Sequence, residues 1–443
     1  MSRPRTCLLL AVLILIVPAL WAGPAFAEGP GTSGAGSGGF DVKTATAAYL
    51  AKMPPDKKAK SDAYFEGGYW LLLWDFLYSS AVLLLLLNLG WSAAMRDRAE
   101  RIAGRLGRGL SWSRTLLYWV QMFAAITIAQ FPMVVYEGYY REHKYGLATQ
   151  SFAPWLGDQA KAFAVNLILF GILLVPLYLV LRLSRHWWIW GSLVSILFLV
   201  FAVVISPVYI FPIFNTFTRL EDKAIREPIL GLARANGIPA DDVWVVDASK
   251  QTTRVSANVS GLLGTTRITI NDNMLKRCGL PEIEAAMGHE MGHYVLHHNY
   301  KGVVSLGLIT FLGFVFLHLS FGGAVRRFGS RWRVSGIGDL AGLPLLMLLL
   351  SAYFFVLTPV INSFTRIEEA EADLFGLNAA QQPDGAAEVA LKLGDYRKMN
   401  PGPLEEILFF DHPSGRNRIE MAMRWKAEHG PGGILCRQEG CGP

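Results

Sequence analysis

Residues 281–293 read Pro-Glu-Ile-Glu-Ala-Ala-Met-Gly-His-Glu-Met-Gly-His, and the rest of the chain is best understood outward from them. Pro281 suits the first turn of a helix, and Glu282 and Glu284 suit its positive end. On such a helix His289 and His293 are four residues apart, so both rings leave one face at metal-binding separation. Glu290 lies between them, turned so that its carboxylate can reach water on the metal. Zinc activates water and polarises a carbonyl, while a carboxylate takes the proton and later delivers it. The pentapeptide alone recurs by chance in many proteins, so its surroundings decide its weight.

Those surroundings are apolar. The chain has 443 residues, 52% hydrophobic and 17% charged, against about 25% charged for an ordinary soluble domain. Part of its solvent is therefore lipid. Stretches of about 20 apolar residues can span a bilayer. Candidates fall at roughly 69–91, 115–136, 162–183, 187–211, 303–322 and 341–361. Asp75, Asn166 and Pro176 interrupt them, which favours a bundle with an interior cavity over isolated spans, although Asp75 alone is also compatible with an interfacial position.

The remaining segments follow from composition. Arg3 and Arg5, an apolar run from Cys7 to Leu20 and Ala25-Phe26-Ala27 read as an export signal over 1–27, or as a first transmembrane helix. Residues 28–67 form a linker and polar helix, and 68–213 the first transmembrane helices. The polar region 214–300 carries a charged helical stretch from Leu220 to Asn236, two strand-like runs at 243–246 and 267–270, and the histidine helix. Two further transmembrane helices occupy 301–361. A second polar half covers 362–425, and a flexible tail 426–443. Cys436 and Cys441 form a local disulfide or two idle thiols; Cys278 stands alone.

Arginines set an expected orientation. The 92–114 loop holds Arg96, Arg98, Arg101, Arg105, Arg108 and Arg114; the 182–186 turn holds Arg182 and Arg185; the 323–340 loop holds Arg326, Arg327, Arg331 and Arg333. Positive loops stay in the cytoplasm, which turns 214–300 and 362–443 outward, against the lysines at 52–60. The net charge of +6 reads as this topology signal and not as a nucleic-acid footprint, so no nucleic-acid partner is expected.

A catalytic zinc keeps three protein ligands and one open position. The third is expected from Thr365-Arg366-Ile367-Glu368-Glu369-Ala370-Glu371-Ala372-Asp373. There Glu369 and Asp373 share a helix face, so that one can bind metal while the other orients a ligand imidazole. Spacing does not choose among Glu368, Glu369 and Glu371.

The order His-Glu-x-Gly-His, two spans, then Arg-x-x-Glu-x-x-Ala-Asp resembles the type I CAAX prenyl protease family of integral-membrane zinc endopeptidases. The likeness extends to Tyr145-Gly146-Leu147-Ala148-Thr149-Gln150, Phe214-Asn215 with Leu220-Glu221-Asp222, Asp247-Ala248-Ser249-Lys250, Asn258, and His412-Pro413 with Arg418, covering most of residues 60–425. It implies a mainly α fold: a polytopic bundle of six or seven spans enclosing a chamber, with a gluzincin-like protease domain carrying a small β-sheet. It implies that His289, His293 and Glu369 bind one Zn(2+) per chain and that Glu290 is the general base. Asp373 would buttress a ligand histidine, and His412 and Arg418 would lie near the substrate carbonyl. Asn258 would belong to an edge strand that pairs with an extended peptide. The resemblance puts His298 outside the metal shell, while His297 departs from the family pattern.

The export-type start and the arginine loops part from the family's cytosol-facing members. The expected protein is a bacterial inner-membrane endopeptidase whose catalytic region faces the periplasm and cuts membrane or periplasmic polypeptides. The alternatives are a cytosol-facing protease of prenyl-like or C-terminal substrates, and a catalytically silent zinc-binding scaffold. Cleavage within the bilayer ranks last, because charged residues flank the histidine helix.

Overall fold

The computed structural model describes residues 40–106, 112–260 and 266–430. The expected signal segment, Arg108 and the Cys436–Cys441 pair lie outside them.

Fourteen helices and four strands, among the described residues, build a membrane bundle with a polar unit at one end. Helix α1 (Val42–Ala51) is capped by Asp41, whose carboxylate accepts from the Lys43 and Thr44 N–H groups. Helix α2 (Pro55–Asn88) runs unbroken from its lysine-rich start into the first span. The polar helix expected before residue 67 is therefore the membrane helix's own extension. Helix α3 (Trp91–Leu106) replaces the expected loop at 92–114. Its sequence is amphipathic: Ser92, Ala93 and Ala99 are buried against the bundle with Arg96 on their face, and Arg101 and Arg105 are exposed.

Helices α4 (Ser113–Val135), α5 (Phe152–Leu183) and α6 (Trp187–Ile205) continue the bundle. α4 passes through a π-turn at Tyr136–Arg141, and α6 through another at Ser206–Ile210. The polar unit begins with β1 (Phe217–Arg219), α7 (Lys223–Ala235), β2 (Val243–Val246), β3 (Ala257–Ser260) and β4 (Arg267–Asn271). Then follow α8 (Asp272–Arg277) and the histidine helix α9 (Leu280–Val295). The spans α10 (His298–Trp332) and α11 (Leu343–Ala380) lead out and back, and α12 (Pro383–Leu393), α13 (Pro403–Phe409) and α14 (Gly415–His429) complete the unit.

Among the described residues, six helical segments are long and apolar enough to cross a membrane: 55–88, 113–144, 152–183, 187–214, 298–332 and 340–380. Five contain one of the expected spans whole, and the first ends at Asn88, three residues short of the expected 69–91. The bundle core packs Leu87, Tyr118, Met122, Tyr178 and Leu317. The three arginine segments meet at one end: Arg96 bonds both carboxylate oxygens of Asp339 at 3.0 and 2.9 Å, Arg333 pairs with Asp97, and Arg182 donates to the Gly338 carbonyl. The 323–340 segment is likewise less of a loop than its charge suggested, since α10 runs on to Trp332.

The sheet has the order β1-β2-β4-β3, with β2 and β4 parallel and both outer pairs antiparallel. The sequence signalled only β2 and β4, the strands rich in valine and isoleucine. β3 is left with one free edge. Val243, Ile268 and Ile270 point from the sheet into a second core with Ile283, Met287 and Met291 of α9.

That last triplet shows how α9 is divided. Residues 283, 287 and 291 face the sheet, 288 and 292 are glycines facing α11, and 289 and 293 are the histidines. A Cβ at Gly376 of α11 would lie 2.7 Å from the His289 nitrogen, and one at Gly288 would lie 3.0 Å from the Gly376 carbonyl. The two backbones are in contact because neither side has a side chain there.

Candidate metal and catalytic site

That contact brings Glu369, two turns N-terminal to Gly376, under the histidines. His289 Nε2 is 3.1 Å from His293 Nε2 and 3.3 Å from Glu369 Oε2; His293 Nε2 is 3.4 Å from Glu369 Oε1. Glu369 is 7% exposed, and its Oε2 has no hydrogen-bond partner although two imidazoles stand near it. The short contacts of Glu369 Oε2 without a hydrogen bond, beside two Nε2 atoms 3.1 Å apart, are what converging lone pairs give. A tetrahedral centre with bonds of about 2.0–2.1 Å has edges of about 3.3 Å between ligands. The donor types and spacings therefore fit zinc.

The outer faces of both rings are held. His289 Nδ1–H donates to Asp373 Oδ1 at 2.8 Å, and Asp373 in turn takes a forked contact from Arg418, including Nε to Oδ2 at 2.8 Å. Burial by itself would lower the His289 pKa; the bond and charge of Asp373 outweigh it and hold the ring at about 9. Burial works against Arg418 too, and its pairing with Asp373 more than compensates. His293 Nδ1 is 2.9 Å from His298 Nδ1, whose Nε2 is 3.1 Å from Glu371 Oε2, a carboxylate shared with Lys301 at 2.9 Å. If His298 Nε2–H donates to Glu371, its Nδ1 accepts from His293. Each ligand ring then keeps its Nε2 lone pair for the centre.

The site opens into a cavity of about 200 Å³ lined by Glu290, His412, Arg397, Arg418, the first β3 residue Ala257 and the two residues before it, Val255 and Ser256. Burial pushes the Glu290 carboxyl up, the first effect on a group that also feels His289, His293 and Glu369. His412 Nε2 lies 3.2 Å from Glu369 Oε2, while its Nδ1–H donates to Asp411 Oδ1 at 2.7 Å. Asn258 lies on β3 with its side chain exposed, opposite Thr269. It stands one residue beyond the part of the strand that borders the cavity.

The structure thus gathers His289, Glu290, His293, Glu369, Asp373, His412 and Arg418 around one point, with Asn258 at its margin. Glu368 is absent from the donor group, and Glu371 stands behind His298. His297 is in the left-handed conformation, φ 58°, where α9 ends and α10 begins. That break returns His298 to the site at a spacing no continuous helix would allow. His298, Glu371, Asp411 and Arg397 were not assigned roles by sequence reasoning; the irregular junction after Val295 hid the first two.

The other shared residues tie the sheet to the bundle. Thr149 N–H donates to the Gln251 carbonyl, Thr253 N–H to that of Leu147, and Asn215 bonds both Asp247 and Gln251.

A histidine–histidine–glutamate donor set on two touching helices, at one end of a six-span bundle, defines an integral-membrane metalloprotease. Residues 219–426 match the model of peptidase family M48, and residues 42–216 match "CAAX prenyl protease N-terminal, five membrane helices". An uncharacterized metalloprotease, YhfN, of Bacillus subtilis is 34% identical over 66% of this chain and 69% of its own length. CAAX prenyl protease 1 of Saccharomyces cerevisiae is 26% identical over 66% of this chain and 68% of its own. The crystal structure of S. mikatae Ste24p superposes with a TM-score of 0.69 at 22% identity, covering 86% of this chain and 94% of that one, and so shares its chambered helical fold. The chain belongs to peptidase family M48 and is a membrane zinc metalloprotease.

Proposed function

We propose that this protein is an endopeptidase in which His289, His293 and Glu369 hold one zinc per chain and Glu290 is the general base. The observation that carries the reading is the buried Glu369 Oε2, unbonded between two imidazole nitrogens at 3.3 and 3.2 Å. Zinc bound there would supply Lewis-acid polarisation of the scissile carbonyl and activation of water. Glu290 takes the proton of the attacking water and returns it to the leaving amine. Asp373, fixed by Arg418, holds His289 in the tautomer that presents Nε2. His412, oriented by Asp411, faces the cavity where charge develops on the carbonyl oxygen, and Arg418 adds positive charge close by. The free edge of β3, with Asn258 beside the cavity, suits an extended peptide added as a fifth strand.

The domain organisation belongs to this proposal with two bounds moved: a leader at 1–27, a linker from 28, transmembrane helices up to 213 of which the first begins at Pro55, a peptidase domain split into 214–300 and a second half from 362 to His429 by the two spans of 301–361, and a tail after it. The arginine cluster lies at the end of α10 and α11 opposite the site. With positive residues inside, that supports a bacterial inner-membrane protein whose site faces the periplasm and whose substrates are membrane or periplasmic polypeptides.

Wild type and Glu290→Gln should be compared on an unfolded protein in detergent. Cleavage by wild type falls by about 10²–10⁴ in the variant if the carboxylate is the base. Equal cleavage by both, insensitive to a chelator, would remove the peptidase reading and leave a zinc-binding scaffold.

A further inference from the structure

The cavity beside the site contains a guanidinium with no carboxylate in ion-pair contact among the described residues. Arg397 sits in the connection between α12 and α13, and its backbone is fixed: Ser61 Oγ–H donates to the Arg397 carbonyl at 3.2 Å, and Arg416 N–H to that of Met399 two residues on. Its neighbour Lys398 is balanced by Glu66 and Glu405, each at 2.7 Å. The other arginines nearby are also satisfied. Arg418 is forked on Asp373, Arg254 is paired with Glu142 at 2.7 Å, and Arg366 donates to the Glu406 and Phe410 carbonyls. Arg397 forms no ion pair among the described residues. Its one polar contact is a long one, Nη2 to His412 Nε2 at 3.4 Å. The nearby Asp411 carboxylate is already committed to His412.

The placement is as telling as the missing partner. Arg397 borders both the cavity that holds the metal ligands and a second one of about 440 Å³ that runs toward the spans, walled by Tyr64, Tyr69, Phe409 and Arg254. A polypeptide reaching from one to the other passes the guanidinium. Burial, and then the like charge of Arg418, oppose the charged state of Arg397 more than Tyr396, Asp411 and Glu369 support it from a distance. A cation kept under those conditions, with its planar fork engaged only by that long contact to His412, matches a carboxylate arriving with a ligand.

We infer that Arg397 is a specificity residue that binds a carboxylate of the polypeptide substrate close to the scissile bond. The carboxylate is either the chain's own C-terminus or an acidic side chain. The inference rests on the peptidase reading above and adds a substrate chemistry to it.

The test uses the full-length protein in detergent with one fluorogenic peptide in three forms: uncharged with an amidated end, the same with a free C-terminal carboxylate, and the amidated form with glutamate replacing a glutamine beside the scissile bond. Wild type should cleave at least one carboxylate form with kcat/KM about 10- to 100-fold above the uncharged one. Which form gains identifies the source of the carboxylate. Arg397→Ala should raise KM for the favoured carboxylate form by that 10- to 100-fold factor beyond its effect on the uncharged peptide, and Arg397→Lys should restore part of the difference. The uncharged peptide also reports on folding and on the zinc site. The inference is overturned if wild type shows no preference for a carboxylate, or if Arg397→Ala slows all three peptides equally, as a role in folding or in oxyanion binding requires. Chelator-insensitive cleavage by wild type would instead remove the peptidase reading itself, and the inference with it.

Discussion

Asp373 shows how much a residue outside the donor set controls at this site. It accepts from His289 Nδ1 and is gripped by Arg418, so the ligand ring, the carboxylate and the guanidinium are one unit. Asp373→Asn is expected to weaken zinc binding by about 10- to 100-fold, measured by competition with a chromogenic chelator, because the amide cannot fix the ring's tautomer with the same charge. His298→Ala should have a smaller effect in the same direction, since Glu371 and Lys301 lie further out along that chain of contacts. The histidines and Glu290 were legible from spacing alone. Glu369 was narrowed to a segment by spacing and singled out by the family resemblance. The His298 arm was not legible, because a left-handed residue at 297 breaks the helical register that links sequence spacing to spatial position.

Helices α9 and α11 act as a matched pair. Gly288 and Gly292 on one meet Gly376 and Ala372 on the other, and this proximity sets the height of Glu369 beneath the histidines. Gly376→Ala inserts a methyl group against the His289 backbone and is expected to cost about 1–3 kcal/mol by overpacking. The sharper consequence is a drop in bound zinc in the purified protein, measured by atomic absorption, even where the fold survives. The edge strand has its own support. Asn271, 5% exposed, accepts from Ser256 N–H and donates to the Arg254 carbonyl, fixing the stretch that borders the cavity. Asn271→Ala leaves the Ser256 N–H without this partner, while the Arg254 carbonyl keeps its bond from Asn273, and should raise KM for an extended peptide more than it lowers kcat. At this scale the sequence indicated the helices well, because their apolar runs are long. It carried no residue-pattern sign of β1 or β3, which are short and mix small and polar residues, and the strand at Asn258 was expected only from the family resemblance. It also took α3 for a loop, since its charge was more conspicuous than its amphipathic period.

At the scale of the molecule, a lipid-embedded bundle and a polar unit share helices: α10 runs between the arginine cluster and His298, and α11 from the same end to Glu369. Such continuity makes membrane orientation decide which compartment supplies the substrate. A reporter active only outside the cytoplasm, fused after residue 430, should be active; a silent one would move the site to the cytosol and favour cytosolic substrates. The six spans and the end at which arginines gather were visible in composition. The polar cavities between spans, one of about 640 Å³ lined by Glu137, Gln150, Asp158 and Arg254, were anticipated only in outline from Asp75 and Asn166. Their walls come from residues far apart in the chain, which no local pattern links.

All of these expectations depend on one claim, that the three donors hold a zinc ion on which peptide hydrolysis depends. The direct measurement is cleavage of an unfolded protein by the purified full-length chain before chelation, after chelation and dialysis, and after adding back zinc in steps. The account requires activity to vanish with the metal and to return in full at about one equivalent per chain. Undiminished cleavage by the metal-free protein would contradict it.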